Sequence, residues 1–122
     1  MAIPDPGTAA PSITVGVGGF VKSLDVAVDV THPFDADLKL EIVSPGGEAV
    51  TLAEAVGMWG HDFIGTVFKD GSPGSIASGS PPFKGTFRPI QALSRLAGLP
   101  AQGIWKLRVT DMRGGYAGRI ER

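Results

Sequence analysis

A period of two runs through the middle of the chain, and few folds tolerate it. Leu38, Leu40 and Ile42 alternate with Lys39, Glu41 and Val43, and Val50 and Leu52 resume the pattern after Ser44-Pro45-Gly46-Gly47. Successive side chains of a strand point to opposite faces, so this spacing puts an apolar row on one face and a charged row on the other. Proline removes a ladder donor and glycine accepts the positive backbone angles of a tight reversal, so Ser44–Gly47 reads as the turn of a β-hairpin. Upstream, Leu24, Val26, Val28 and Val30 alternate with Asp25, Ala27, Asp29 and Thr31. Downstream, Trp105, Leu107 and Val109 alternate with Lys106, Arg108 and Thr110. Each is half-buried, with one side on a core and the other toward water.

The remaining pieces are short. Ile13, Val15 and Val17 form a first strand that Gly18-Gly19 turns. Phe63–Phe68 reads as a strand with Phe63, Gly65 and Val67 on one side and Ile64, Thr66 and Phe68 on the other. Ala53–Gly60 fits a strand end or a helical turn. Residues 70–82 are a Gly-, Ser- and Pro-rich loop, of a length at which loops are functional or mobile. Phe83–Phe87 is extended. Pro89–Leu96 suits one or two helical turns, with Pro89 in the first turn and Gly98 at the cap. Tyr116–Arg122 begins a last strand. About seven or eight short strands result, with little helix. The fold class is all-β, an antiparallel jelly-roll β-sandwich. Residues 1–12, rich in Pro, Ala and Gly, read as a linker, and 13–122 as one domain.

At 122 residues folding hides roughly two thirds of the unfolded chain's surface, enough for one core. A net charge of -1 with no basic block offers no footprint for nucleic acid and no polybasic membrane patch. No apolar run is long enough to span a bilayer. Met1–Ser12 lacks the basic and apolar regions of a signal peptide. The absence of cysteine excludes disulfides and thiolate metal sites.

The order of motifs resembles the P domain, or homo B domain, of the kexin- and furin-like subtilisin proteases called proprotein convertases. The matching pieces are Ile3-Pro4-Asp5, Val26–His32 running into Asp37-Leu38 and Leu40, and Ser44-Pro45-x-Gly47 with Val50 and Leu52. They continue with Phe63-x-Gly65-Thr66-x-Phe68-x-Asp70, Pro82-Phe83-x-Gly85-x-Phe87-x-Pro89 and Leu93-x-x-Leu96-x-Gly98. Gly103-x-Trp105-x-Leu107-x-Val109-x-Asp111 and Gly118 complete the series. Glu48 stands where the family usually has Thr, and Ala36 replaces the usual Gly before Asp37. The resemblance implies a galactose-binding-domain-like jelly roll that is not catalytic. It implies a domain that follows a subtilisin-like serine endopeptidase in a larger secreted chain, packs on it and stabilises it. The family's last strand, bearing Trp and Leu, begins about where Arg122 stands, so an open sheet edge is expected. Such edges recruit other chains, and an edge-mediated dimer is the alternative to a monomer.

Catalysis finds no support in the motifs. His32 and His61 are the only histidines, no nucleophile elbow accompanies them, and Gly16–Gly19 opens no helix that would hold a phosphate. His32 closes a strand and reads as structural. For binding, Trp59 and Tyr116 are the candidates. Trp59, in Gly57-Met58-Trp59-Gly60, serves as an interface anchor or sugar platform, or else folds under the long loop. A glycan- or protein-binding module on another exported protein is the competing function. Calcium is the candidate cofactor, because loop carboxylates and carbonyls suit it. Asp35 and Asp37 are paired at a strand entrance, with Asp62 or Asp70 completing the site; the alternative is that each caps a turn. If these carboxylates hold the ion, the melting temperature in excess Ca²⁺ should exceed that in EDTA, and equal values would exclude the site.

Overall fold

In the computed structural model, the described residues are 2–3, 7–16, 18–22, 24–32, 38–56, 60, 62–79, 83–112 and 118–120. They form ten strands: β1 (Ala2–Ile3), β2 (Gly7–Ala9), β3 (Ser12–Val15), β4 (Val26–Thr31), β5 (Leu38–Val43), β6 (Ala49–Glu54), β7 (Phe63–Phe68), β8 (Gly85–Phe87), β9 (Gly103–Asp111) and β10 (Gly118–Ile120). One sheet has the order β1-β10-β4-β7-β8, and the other β2-β9-β5-β6 with β3 also on β9. The two inner faces close over Leu38, Leu40, Leu52, Phe63, Phe68, Val109 and their neighbours, all fully buried. The chain is an all-β sandwich. Its pairs are antiparallel except β7 with β8, which run parallel. No described helix is long and apolar enough to cross a membrane.

The central hairpin forms where the alternation puts it. Gly47 at φ +95° donates to the Ser44 carbonyl at 3.0 Å, and Ser44 donates to the Glu48 carbonyl at 2.9 Å. The Ser44 hydroxyl donates to Glu48 Oε2 at 2.5 Å and accepts from the Glu48 amide at 3.1 Å. A threonine hydroxyl would not supply that carboxylate acceptor. The same hydroxyl bond holds the Glu48 carboxyl below its ordinary range.

Two expectations are corrected by bulges and long-range caps. On β7, Val28 pairs with Thr66 and Val30 with Phe63, so Ile64 and Gly65 together oppose Asp29. Gly65 takes φ +59° and donates to Asp29 Oδ1 at 2.6 Å. The extra residue resets the phase. Phe63, Thr66 and Phe68 all face inward, which strict alternation from Phe63 forbids. Leu52 is the extra residue on β6, between the pairs Leu40–Ala53 and Glu41–Thr51, and both Leu52 and Ala53 are buried. The helical expectation at Pro89–Leu96 shrinks to a 3-10 turn over Leu93–Leu96. Its cap is Asp70, whose Oδ1 and Oδ2 accept from the Leu93 and Ser94 amides at 2.7 and 2.8 Å. The long loop contains a second such turn, Ile76–Ser78, with Ile76 in the core. Phe83 stacks on Phe63 at 5.0 Å and meets Phe87 edge-on at 5.9 Å, closing that end.

The stretch expected to be a linker supplies strands to both sheets. β1 pairs with β10, while β2 and β3 pair with β9. Between β2 and β3 the Pro11 carbonyl still accepts from Leu107 at 3.0 Å. Pro11 sits on an edge, where its missing donor costs nothing to the ladder. β1 pairs along the outer side of β10 and forms the edge of that sheet.

The outward row of the second sheet is ionic. Arg108 forks onto Glu41, Nε to Oε1 at 3.0 Å and Nη2 to Oε2 at 2.8 Å, and Lys39 lies 4.0 Å from Glu41 and 3.8 Å from Glu54. Hydrogen bonding from Arg108 holds the Glu41 carboxyl below its ordinary range; burial opposes this, and the charges of Arg108 and Lys39 assist. A carboxyl depressed by folding stabilises the fold above its unfolded pKa and loses that contribution as pH falls through the folded value. Stability to urea should therefore fall below about pH 4.5, the ordinary carboxyl range, and Arg108→Met should flatten the fall. Equal slopes in both proteins would show that the pair contributes nothing.

Candidate functional site

Two features stand out, one polar and buried, the other apolar and open. The polar one ties the sheets together at one end. His32 follows β4 in the first sheet, and Asp111 ends β9 in the second. His32 Nε2 and Asp111 Oδ2 are 3.0 Å apart, with both side chains fully buried. The His32 amide donates to Asp62 Oδ1 at 2.9 Å, and the Asp62 amide returns a bond to the His32 carbonyl at 3.1 Å. Asp62 takes φ +69°, a left-handed conformation that aspartate tolerates better than most residues. Gly118 lies on this cluster: a Cβ there would come within 2.4 Å of the Thr31 carbonyl and 2.7 Å of the His32 ring. His32, which the sequence reads as structural, is thus buried at this junction and bonded across it. A buried histidine held by a carboxylate across the interface locks the sheets more specifically than apolar contact can.

The open feature is a groove at the opposite side of the sandwich mouth. Two recesses of about 530 and 410 Å³ share Ile13, Val26, Ala27, Ile42 and Trp105. Ile13 lies opposite Trp105 and so shares its inward face, yet it is 73% exposed because β3 is an edge. Phe20 is equally exposed. Trp105 is buried, as its alternation predicts, and its Nε1 donates to the Ala101 carbonyl at 2.9 Å. Lys22, Asp25 and Lys106 stand in water at the rim. The volume is that of a ligand pocket, and the lining suits apolar side chains of a polypeptide better than polar groups of a substrate. The period-two reading placed Ile13 on a first strand and said nothing of its exposure, so sequence reasoning missed the groove. The signal available was Phe20, a large apolar residue directly after Gly18-Gly19.

Of the residues singled out in the sequence, Asp35, Asp37, Trp59, His61 and Tyr116 lie outside the described residues. Asp62 and Asp70 stand at opposite ends of β7 and serve as backbone acceptors, for the His32 amide and for the Leu93–Ser94 turn respectively. Among the described residues, no three His, Cys, Asp or Glu side chains gather as a metal site.

Comparison with known proteins adds the decisive observation: a model of the proprotein convertase P-domain matches residues 21–122. The chain belongs to that family. β1, β2 and β3 precede the matched part of the P domain and still pair into both sheets. The transglutaminase-activating metalloprotease of Streptomyces mobaraensis is 28% identical over 126 residues, covering all of this chain and 13% of that protein. The Aeromonas sobria serine protease, solved in complex with the chaperone ORF2, superimposes with a TM-score of 0.65 at 20% identity, over 98% of this chain and 23% of that one. A second crystal structure of that serine protease gives 0.59 at 21%, covering 99% and 21%. These superpositions show a shared fold. The P domain spans less than a third of each relative.

The His32–Asp111 contact can be measured directly. Asp111→Ala should lower the unfolding free energy by about 1–3 kcal/mol, because a buried histidine nitrogen loses its partner. Glu54→Ala, on the exposed face, should stay within about 0.5 kcal/mol of the unaltered chain. Equal costs for the two would remove the interlocking role.

Proposed function

We propose that this P domain is a non-catalytic accessory unit of a larger secreted protease, docked against the catalytic domain and stabilising it. Subtilisin-like serine chemistry in that partner is the first reading. The observation that carries the proposal is family membership combined with size: the chain answers to a small share of proteases many times its length. One relative is named a metalloprotease and another a serine protease. A domain found alongside two kinds of catalytic machinery fits a role in holding a fold rather than in breaking bonds.

The physical basis is linkage. A domain that binds only the folded form of its neighbour shifts the neighbour's folding equilibrium toward the native state, by roughly 2.7 kcal/mol when its effective concentration is 100 times Kd. Tethering in one chain supplies such concentrations without tight intrinsic affinity, since short linkers give millimolar values. The sandwich suits the task because its two sheets are locked internally and leave loops and outer faces for contact.

The test is production of the parent catalytic domain with and without this chain. With it, the catalytic domain should survive heating longer and retain activity. Matching inactivation half-lives in the two preparations would end the proposal.

A further inference from the structure

A separate cleft of about 380 Å³ opens beside the 3-10 turn of Leu93–Leu96, with Asp70, Ser75, Arg88, Pro89, Ile90 and Ser94 in its walls. The stretches that meet there are each pinned by backbone bonds. The Arg88 amide donates to the Gly74 carbonyl at 2.7 Å, and the Arg88 carbonyl accepts from the Ile76 amide at 2.9 Å, so Ser75 and Arg88 are held side by side. The Ile90 amide is tied to the Leu52 carbonyl at 3.0 Å. The Leu93 and Ser94 amides fix the Asp70 carboxylate, one on each oxygen. A site whose walls are already fixed pays little ordering entropy when a ligand enters.

The side chains keep hydrogen-bonding capacity to spare. Among the described residues, the Arg88 guanidinium and the Ser94 hydroxyl have no partner, and both residues are exposed. The Ser75 hydroxyl accepts from the Ala77 amide at 3.3 Å, which leaves its proton to give. A carboxylate has about four lone-pair positions, so Asp70 can accept beyond its two amides. The mixture narrows the ligand. A phosphate or sulfate at Arg88 would face the Asp70 charge, and an amine or metal ion at Asp70 would face Arg88. A neutral molecule with adjacent hydroxyls satisfies both, because each hydroxyl gives one hydrogen bond and takes others, and the rigid guanidinium fork can span two of them. Pro89 and Ile90 add an aliphatic surface, with Ile90 46% exposed and so free to meet the C–H face of a ring. We propose that this cleft binds a neutral hexose, free or as a unit of a glycan. Arg88 and Asp70 take neighbouring hydroxyls, Ser75 and Ser94 take others, and the ring lies on Ile90. The site does not depend on whether the domain supports a protease.

The test is titration of the chain with galactose, glucose, mannose and N-acetylglucosamine, and separately with inorganic sulfate, followed by amide NMR. At least one sugar should move the Ile90, Leu93 and Ser94 amides with a saturable curve. Arg88→Ala should weaken that sugar by about tenfold or more, since a charge-assisted hydrogen bond is lost. Arg88→Lys, which keeps the charge and loses the fork, should fail to restore it. Tm of both variants should equal that of the unaltered chain, because the side chain is exposed. Lys106→Ala, on the outer face of the second sheet, should bind as the unaltered chain does. A panel in which no sugar moves these amides overturns the proposal, and so does sugar binding that Arg88→Ala leaves unchanged. Tighter binding of sulfate than of every sugar at the same amides also overturns it, because the cleft is then an anion site.

Discussion

Everything in this sandwich depends on both sheets turning their apolar side chains toward the same layer. A strand has only two faces, so one residue too many sends a row of side chains to the wrong side. The first sheet carries one such extra residue, at Ile64–Gly65 in β7, and the second carries another, Leu52 in β6. Neither spoils the core. At β7 the left-handed glycine absorbs the turn of the backbone, Asp29 satisfies its amide, and Phe63 and Phe68 both arrive inside. At β6 the small side chain of Ala53 lets two consecutive residues be buried without overfilling the layer. Each fault in the alternation thus has a specific local remedy, and the aromatic stack of Phe63, Phe83 and Phe87 rests on the first of them.

How much was legible in the residues follows from which interactions are local. The hairpin of Leu38–Leu52, the β4 and β9 strands, the burial of Trp105 and the structural part of His32 all rest on period-two patterning or on turn residues a few positions apart. The misreadings involve partners far away in the chain. Asp70 caps a turn more than twenty residues on, so the helix start could not be seen near Pro89. Ala2–Ile3 and Gly7–Ala9 have no alternation of their own and become strands because β10 and β9 offer them edges. The groove was invisible for a similar reason: Ile13 has an inward position, and only the arrangement of neighbours shows that this position is left uncovered.

Edges account for much of the irregular structure. The free side of β6 is closed by the amides of Ile90 and Gln91, which donate to Leu52 and Thr51, while the Gln91 side chain accepts from Thr51. The free side of β8 is closed where Arg88 and residues 74–76 exchange bonds. Loops that seem mere connections in the sequence are therefore covers, and they prevent the pairing with other molecules that exposed ladders invite. Against that background the stretch of β4 above Ile42 is an exception, and an apolar one.

The place of β9 has a consequence for how the protein is made. It is the middle of the second sheet, flanked on one side by β5 and on the other by residues that precede β4. The hairpin of β5 and β6 can close while the chain is still emerging from the ribosome, but β2 and β3 have nothing to pair with until Gly103–Asp111 has been synthesised. Contacts between such distant parts of a sequence form slowly. During that interval Ile13 and its neighbours travel as an unpaired apolar segment, so translation speed and early chaperone contact, more than final stability, should decide how much of the protein reaches its native form.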